Sequence, residues 1–324
     1  MKRGGCAMDS IVTLTMNPAL DITVAAPEVR PTSKIRCSRA RYDAGGGGIN
    51  VAKIAHVLGA PVAAVFPAGG ASGDLLTQLI AEAGVPFRRI DIAEPTRESF
   101  TIDEEATGLQ YRFLLPGPRL TPSEQAECVD QLRRQAMSTQ FVVASGSLPP
   151  GVPADFYQRI ADMCGATGAR FVLDTSGAGL QHIKGGVAVL KASARELREC
   201  VGRELATESE QLDAAHELID SGRAEAVVVS LGSEGAVLAT ATESYRFAAI
   251  PMRAVSGVGA GDAMVAGITV GLTRGWPLST SVRFGIAAGT AMLMTPGTAP
   301  CTRADTERLF EIAEEPVELA VVPA

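Results

Sequence analysis

Apolar and polar positions alternate in blocks along this chain, and the block lengths predict its elements. Short apolar runs at residues 11–15, 62–66, 141–145, 171–174, 188–191 and 226–231 have the length of buried strands. Residues 236–239 and 244–248 add two shorter strand candidates. Between the runs, apolar residues recur three or four apart at 50–58, 75–82, 155–164, 211–221, 263–272, 281–294 and 305–313, with a further start at 196–201. That spacing predicts helices. Strands and helices in alternation predict βαβ units, and so an α/β fold: a mostly parallel sheet with helices on both faces.

One part of the chain departs from this pattern. Residues 99–102 and 110–114 alternate polar and apolar and can pair as a hairpin across 103–108. Lys34-Ile35-Arg36-Cys37 alternates too, which on a strand puts both cations on one face. A charge-guarded edge strand and a ligand-facing strand both fit. Together these segments predict a small β lid projecting from the main body. The expected organisation is a core of residues 1–20, 45–94 and 117–324 and a lid of residues 21–44 and 95–116.

Two glycine-rich turns carry the candidate chemistry. Ser256-Gly257-Val258-Gly259-Ala260-Gly261-Asp262 runs straight into an apolar helix. Its glycines let the backbone curl and aim several N–H groups at one point, and the helix adds the positive end of its dipole there. Asp262 sits where turn becomes helix. Donors aimed at an anion beside a carboxylate suit phosphoryl transfer onto a hydroxyl. Tight helix–sheet packing accounts for the same glycines equally simply. The second turn, Ala44-Gly45-Gly46-Gly47-Gly48-Ile49-Asn50-Val51-Ala52, also enters a helix. Asn50, at the expected helix start, reads as a helix cap or as a contact for a sugar hydroxyl.

In open parallel sheets, ligands sit beyond the carboxyl ends of the strands. There the chain places Gly146-Ser147-Leu148-Pro149-Pro150-Gly151, Lys191, and Ser230-Leu231-Gly232-Ser233-Glu234-Gly235. A Gly-x-x-x-x-Gly-Lys-Ser/Thr phosphate loop is absent. The 257–262 turn lacks the third glycine of a dinucleotide fingerprint and falls late in the chain, which argues against hydride transfer.

Composition narrows the classes further. The 324 residues are 46% hydrophobic and 20% charged, as expected of a folded globular chain with a sizeable core. The net charge of −7, without a long basic run, argues against a nucleic-acid partner and leaves a local pocket for a small anion possible. Six cysteines are scattered, none as Cys-x-x-Cys, and the three histidines are far apart. Neither a metal cage nor a disulfide framework is expected, and a reducing cytoplasm fits. Residues 1–10 carry Lys2 and Arg3 but not the apolar centre of a signal peptide. The most apolar segments, 263–272 and 284–294, are too short to span a bilayer, so no membrane partner is expected.

With these motifs in this order, the chain from residue 11 to residue 310 resembles the ribokinase-like (PfkB) carbohydrate kinases. The two glycine-rich signatures carry the resemblance. Phe66-Pro67-Ala68-Gly69-Gly70, Thr96-Arg97, Tyr111-Arg112-Phe113 and Val229-Ser230-Leu231-Gly232 support it. It implies an α/β core with a β lid over a sugar site, often clasping the lid of a second subunit in a homodimer. It implies ATP and Mg2+ as cofactors and a phosphorylated hexose as the acceptor, with fructose 6-phosphate first. Fructose 1-phosphate and tagatose 6-phosphate are alternatives, as is a weakly active regulator that only binds sugar phosphate or nucleotide.

By the same resemblance, Asp262 is the general base and Gly259, Ala260 and Gly261 form the anion hole. Asp21, Gly46, Gly47 and Asn50 hold sugar hydroxyls. Arg97 and Ser147, with Lys34 from a partner lid, hold the sugar's own phosphate. For Arg97 a surface ion pair with Glu94 or Glu98 also fits. Lys191 meets ATP phosphates, where a strand-end lysine reaching for solvent is the other reading. Ser193, Ser230, Gly232 and Gly235 line the nucleotide site, and Glu196 orders the metal. Two positions depart from the family pattern. Ser193 stands where Asn is usual, and Gly257 where Thr is usual. Both lie on the nucleotide side.

Overall fold

The structure, a computed structural model, describes residues 10–252, 256–295 and 299–319. The expectation that residues 1–10 form no signal peptide, and Cys6 with it, lies outside these apart from Ser10. In chain order the strands begin with β1 (Ile11–Leu14), β2 (Ala19–Ala26), β3 (Arg41–Gly45), β4 (Val62–Ala68), β5 (Phe87–Asp91), β6 (Arg97–Glu104) and β7 (Gln110–Leu114). They continue with β8 (Phe141–Ser145), β9 (Arg170–Asp174), β10 (Val189–Ser193), β11 (Ala226–Ser230), β12 (Ala236–Thr240), β13 (Ser244–Phe247) and β14 (Val317–Leu319). The helices are α1 (Gly47–Val57), α2 (Gly70–Glu82), α3 (Pro122–Ala136), α4 (Phe156–Thr167), α5 (Ala178–Gln181), α6 (Ala194–Val201), α7 (Glu208–Asp220), α8 (Ala260–Thr273), α9 (Leu278–Leu293) and α10 (Arg303–Ile312).

Among the described residues the main sheet has the order β14-β13-β12-β11-β10-β9-β8-β1-β4-β5. Its pairs from β11 to β5 are parallel, and β12, β13 and β14 extend it antiparallel. Val- and Ala-rich strands buried on both faces are what a helix-covered parallel sheet needs. One apolar core joins the sheet to α1, α2, α8, α9 and α10, and a second joins its other face to α3, α4, α6 and α7. The layered α/β architecture read from the sequence is therefore the one found.

A separate sheet has the order β3-β2-β6-β7. The 103–108 hairpin forms as expected between β6 and β7, and β2 pairs parallel to β6. The two faces of this sheet differ in chemistry. Tyr42, Ile22, Phe100 and Phe113 lie opposite one another across the four strands. The alternate row carries Asp43, Asp21 and Ser99, and the row beyond it Arg41, Thr23, Thr101 and Arg112.

Three local expectations change. Residues 34–37 form no strand: they lie in the connection between β2 and β3, with Ser38 tied back to Ala25 by paired bonds of 2.8 and 2.9 Å. Their alternation has no neighbouring strand to pair with. α1 starts at Gly47, three residues earlier than the apolar spacing suggests, because Gly46 takes the cap position. Asn50 is thus inside the helix, and its side chain is free for a distant contact rather than a cap. α3, α5, β2, β3, β5 and β14 are additional elements; α3 opens on a Thr121–Glu124 capping box with Pro122 at its first position.

Candidate active site

The register of the main sheet assembles the site. Ser145 ends β8, Asp174 ends β9, and Lys191 lies near the end of β10. Parallel pairing sets Ser145 beside Asp174 and Asp174 beside Lys191. Three polar side chains thus stand in one row at the carboxyl edge, all nearly buried. Burial of a row of this kind is tolerable only if each group finds a partner.

The amino end of α8 supplies that partner for Ser145. Gly259 caps the helix with a left-handed φ of 79°, which a side chain rarely adopts, and no side chain takes up the first N–H groups of the helix. Asp262 follows in the first turn. Its Oδ1 accepts from Ser145 Oγ at 3.1 Å and its Oδ2 accepts from Asn50 Nδ2 at 3.0 Å. Both carboxylate oxygens are therefore held in place from two different helix–strand units. The approach of α1 that brings Asn50 there depends on Gly47: a Cβ at that position would fall 2.2 Å from Ser145 Oγ.

The electrostatics revise one expectation. A carboxylate at a helix amino end is ordinarily stabilised as the anion. Here burial dominates, and the neighbouring Asp174 adds to it, so the Asp262 pKa rises to about 6 in spite of Asn50, Lys191 and Ser145. The group still ionises at neutral pH and sits close to the range a general base needs. Lys191 is not a strand-end lysine reaching for solvent. Its Nζ lies 3.3 Å from each Asp174 carboxylate oxygen. Burial works against its charge, but Asp174, Glu196 and Asp262 together hold its pKa above the ordinary lysine value. A Cβ on Gly261 would stand 3.0 Å from that ammonium, so the cation lies directly against the turn.

The turn separates two spaces. Gly257, Ala260 and Gly261 face a cavity of about 950 Å³, which continues past Ser230, Gly232 and Gly235. Val258 faces the other way, into a small cavity lined by Asp21, Thr23, Ser99, Thr101 and Arg112 of the four-stranded sheet. Asp21 has its pKa raised to about 6, chiefly by burial, against the pull of Arg97, Lys53 and Arg112. Ser99 Oγ and Asn50 Oδ1 are buried without a partner among the described residues, as acceptors and donors for a polyol would be before it binds.

Gly46 and Gly47 form the start of α1 at this junction. Arg97 makes neither ion pair that its neighbours suggest. Glu98 accepts from Ser72, Glu94 accepts from the Arg119 N–H, and Arg97 donates to the carbonyls of Leu115 at 3.2 Å and Asn17 at 3.0 Å. Asn17 in turn donates to Ser147 Oγ at 3.2 Å, so Arg97, Asn17 and Ser147 form one chain of contacts. Lys34 is exposed in the β2–β3 connection and does not join that chain.

On the nucleotide-facing side, Ser193 caps α6. Its Oγ accepts from the Glu196 N–H, and Glu196 returns a bond to the Ser193 N–H at 2.8 Å. The other Glu196 oxygen lies 3.6 Å from Arg195. No cluster of three metal-ligating side chains occurs among the described residues. A single carboxylate such as Glu196 fits only a hard cation that takes most of its oxygens from water and phosphate, as magnesium does. Neither departure distorts the backbone: Ser193 makes a complete capping box, and a Cβ on Gly257 would meet nothing within 4 Å.

Four residues of this cluster are not apparent as functional from sequence alone: Ser145, Asp174, Asn17 and Lys53. Ser145 and Asp174 carry a usable signal, since each closes a predicted strand at the ligand end. Asn17 and Lys53 do not. Lys53 is a buried lysine on α1 whose Nζ donates to the Ala44 carbonyl at 3.1 Å.

Fold and site together define a ribokinase-like α/β protein. The chain belongs to the pfkB family of carbohydrate kinases, whose model matches residues 14–305. It is 67% identical over 309 residues, 95% of this chain and 91% of the other, to ATP-dependent 6-phosphofructokinase isozyme 2 of Mycobacterium tuberculosis. It is 35% identical over 268 residues, 81% of this chain and 83% of the other, to 1-phosphofructokinase of Xanthomonas campestris pv. campestris. It superposes on phosphofructokinase-2 of Escherichia coli crystallised with fructose-6-phosphate with a TM-score of 0.88, at 36% identity over 94% of this chain and 99% of that one.

Proposed function

We propose that this protein is an ATP-dependent 6-phosphofructokinase, transferring the γ-phosphoryl group of ATP to the C1 hydroxyl of fructose 6-phosphate. The observation that carries this reading is the position of Asp262. Both its oxygens are held, and the turn just before it faces one cavity on each side. A base between two substrate spaces is the arrangement for in-line transfer.

In this reading the sugar lies against Asp21, Gly46, Gly47 and Asn50. Arg97 and Ser147 hold its existing phosphate, Arg97 through its paired donors. Asp262 takes the proton from the attacking hydroxyl as the new P–O bond forms and the bond to the bridging oxygen of ADP breaks. The free N–H groups of Gly259, Ala260 and Gly261 and the Lys191 ammonium hold charge that develops on the transferred group. Ser193, Ser230, Gly232 and Gly235 border the nucleotide. Glu196 would help hold Mg2+, and the ion would supply neutralisation of the phosphate charge.

The reading includes a homodimer. The row Tyr42, Phe100 and Phe113 is 44%, 37% and 52% exposed and contiguous on one face of the four-stranded sheet, while the opposite face carries the sugar-side polar groups. A second copy of this face would cover it and bring the basic β2–β3 connection with Lys34 to the neighbouring site. In this organisation residues 21–44 and 95–116 are the lid on the α/β core. The five described cysteines are free thiols, in keeping with a cytoplasmic location. No helix among the described residues is long and apolar enough to cross a membrane.

The test is ADP release with ATP, Mg2+ and each of fructose 6-phosphate, fructose 1-phosphate and tagatose 6-phosphate. The highest kcat/KM is expected with fructose 6-phosphate. Preference for fructose 1-phosphate would move the assignment to the activity named for the Xanthomonas relative. Binding of sugar phosphate without ADP release would replace the kinase reading by a regulatory one.

A further inference from the structure

The far end of the 950 Å³ cavity is walled by the last described stretch of the chain. Gly257, Ala260 and Gly261 stand at its α8 end. Glu314, Glu315 and Val317 line the opposite end, together with Glu234 and Arg246. Two arginines fix the two sides of this slot. Arg246 on β13 donates to the carbonyls of Glu234, at 2.6 Å, and Phe247, and pairs with Glu208, which holds the 3-10 turn Gly232–Glu234 in place. Arg283 on α9 pairs with Glu315 and lies 4.5 Å from the centre of the Phe310 ring, which itself stacks on Trp276 at 5.6 Å. The end of α10 is thereby pinned, and the chain leaves it in a fixed direction. It then adds β14 to the sheet edge with Val317 opposite Arg246.

The cavity lining mixes polar and apolar groups. Ile250, Met252, Ile286 and Leu293 are its apolar part, with Leu293 beside the turn, where its carbonyl accepts from the Ser256 N–H at 3.3 Å. The α8 amino end and Lys191 attract anions, whereas Glu234 and Glu314 repel them, Glu315 and Arg246 there being paired with Arg283 and Glu208. A ligand with a polyanionic end and a flat heterocyclic end can enter with only one polarity: phosphates toward α8 and base toward the slot.

We infer that residues 314–317 are a specificity wall for the base end of the nucleotide, held against it by the Arg283–Glu315 pair and by the β13–β14 pairing. This rests on reading the cavity as the nucleotide site. Nothing in the transfer chemistry requires the segment, so its contribution is confined to affinity and base preference.

The experiment uses the full chain carrying Glu315→Ala, and Glu315→Ala combined with Val317→Gly. ADP and fructose 6-phosphate are titrated calorimetrically, and ATP is compared with GTP as donor. In the double variant ADP is expected to bind about tenfold more weakly, the scale of a lost apolar contact in a pocket. The ATP-over-GTP preference narrows, and fructose 6-phosphate binding stays within twofold or so. Glu315→Gln, which keeps a hydrogen-bonding group, restores part of the loss. Unchanged ADP affinity and base preference in a folded double variant would overturn the inference. So would a parallel loss for both ligands, which marks a purely structural segment. Failure of the unaltered chain to bind ADP at all would remove the nucleotide reading itself, and the wall with it.

Discussion

Two kinds of helix start in this chain invite comparison. α3, α6 and α7 open on Thr121, Ser193 and Thr207, each in a complete capping box that satisfies the cap residue's N–H and the N–H three residues on. α1 and α8 open on Gly46 and Gly259, and among the described residues no side chain caps either start. The first kind of start stabilises its own helix. The second leaves donors and a positive dipole end available to something else. α2 and α5 also open on glycines, Gly69 and Gly177, but it is the α1 and α8 starts that meet at Asp262, which receives Asn50 from α1 and belongs to α8. The contrast between α3 or α7 and the α1–α8 pair is therefore between starts that close on themselves and starts that meet at a buried carboxylate.

Substitutions at each kind of start test this contrast. Gly47→Val should have the largest combined effect. Its side chain collides with Ser145, so stability falls by about 1–3 kcal/mol, as for other overpacked sites. ADP release falls far more than that destabilisation explains, because Asn50 and Ser145 move relative to Asp262. Equal loss of stability with full turnover in the folded fraction would separate the α1 start from the site.

Asn50→Ala and Ser145→Ala come next. Each removes one hydrogen bond to Asp262 and should lower kcat about tenfold, the value of one such bond at a charged group. The pH profile gives a sharper readout. Asp262 must be ionised to accept a proton, so kcat rises with pH through the Asp262 pKa of about 6. Both hydrogen bonds lower that pKa, so losing either moves the midpoint of the kcat profile upward. A downward or absent shift would contradict the electrostatic account.

Thr121→Ala, at the other kind of start, should remove about 1 kcal/mol of stability with kcat and both KM values unchanged. Thermal unfolding beside steady-state kinetics checks it. Gly257→Ser should have the smallest effect, since the position has open space for a Cβ. It should fold as before and lower the KM for ATP a few-fold at most, the net worth of one added hydrogen bond. A large loss of stability there would mean the turn is more constrained than its surroundings suggest.

Much of the fold is legible in the sequence because long apolar runs and helical spacing are local. The strands β8, β9 and β11 are apparent within a residue of their ends. α3 is harder to see. Its mean hydropathy is low and its apolar stripe of Cys128, Val129, Leu132 and Ala136 is thin, although the Thr121–Glu124 capping box marks its start. β2 alternates Leu20, Ile22 and Val24 with Asp21 and Thr23, which line the small cavity, but the alternating stretch is short and follows directly on Asn17-Pro18, so it is easily read as loop. At the site, Asp262 and the glycines are legible because turn chemistry is local. The contact of Asn50 with Asp262 is not: its partner is 212 positions away, and a helix that starts three residues early places Asn50 inside it, so of the cap and sugar-contact readings the cap does not hold. Asp174 and Lys191 are recognisable as a pair only once the register sets β9 beside β10.

The most direct test of the account is Asp262→Asn, measured as ADP release with fructose 6-phosphate and ATP beside calorimetric binding of each substrate. The amide is close in shape and can keep the contacts to Asn50 and Ser145, with the Asn50 amide turned, but it cannot accept the proton. A fall in kcat of about 10²–10⁴-fold is expected, the usual contribution of a general base, with both substrates still bound at near-normal affinity. Turnover at the rate of the unaltered protein would contradict the assignment of Asp262 as the base.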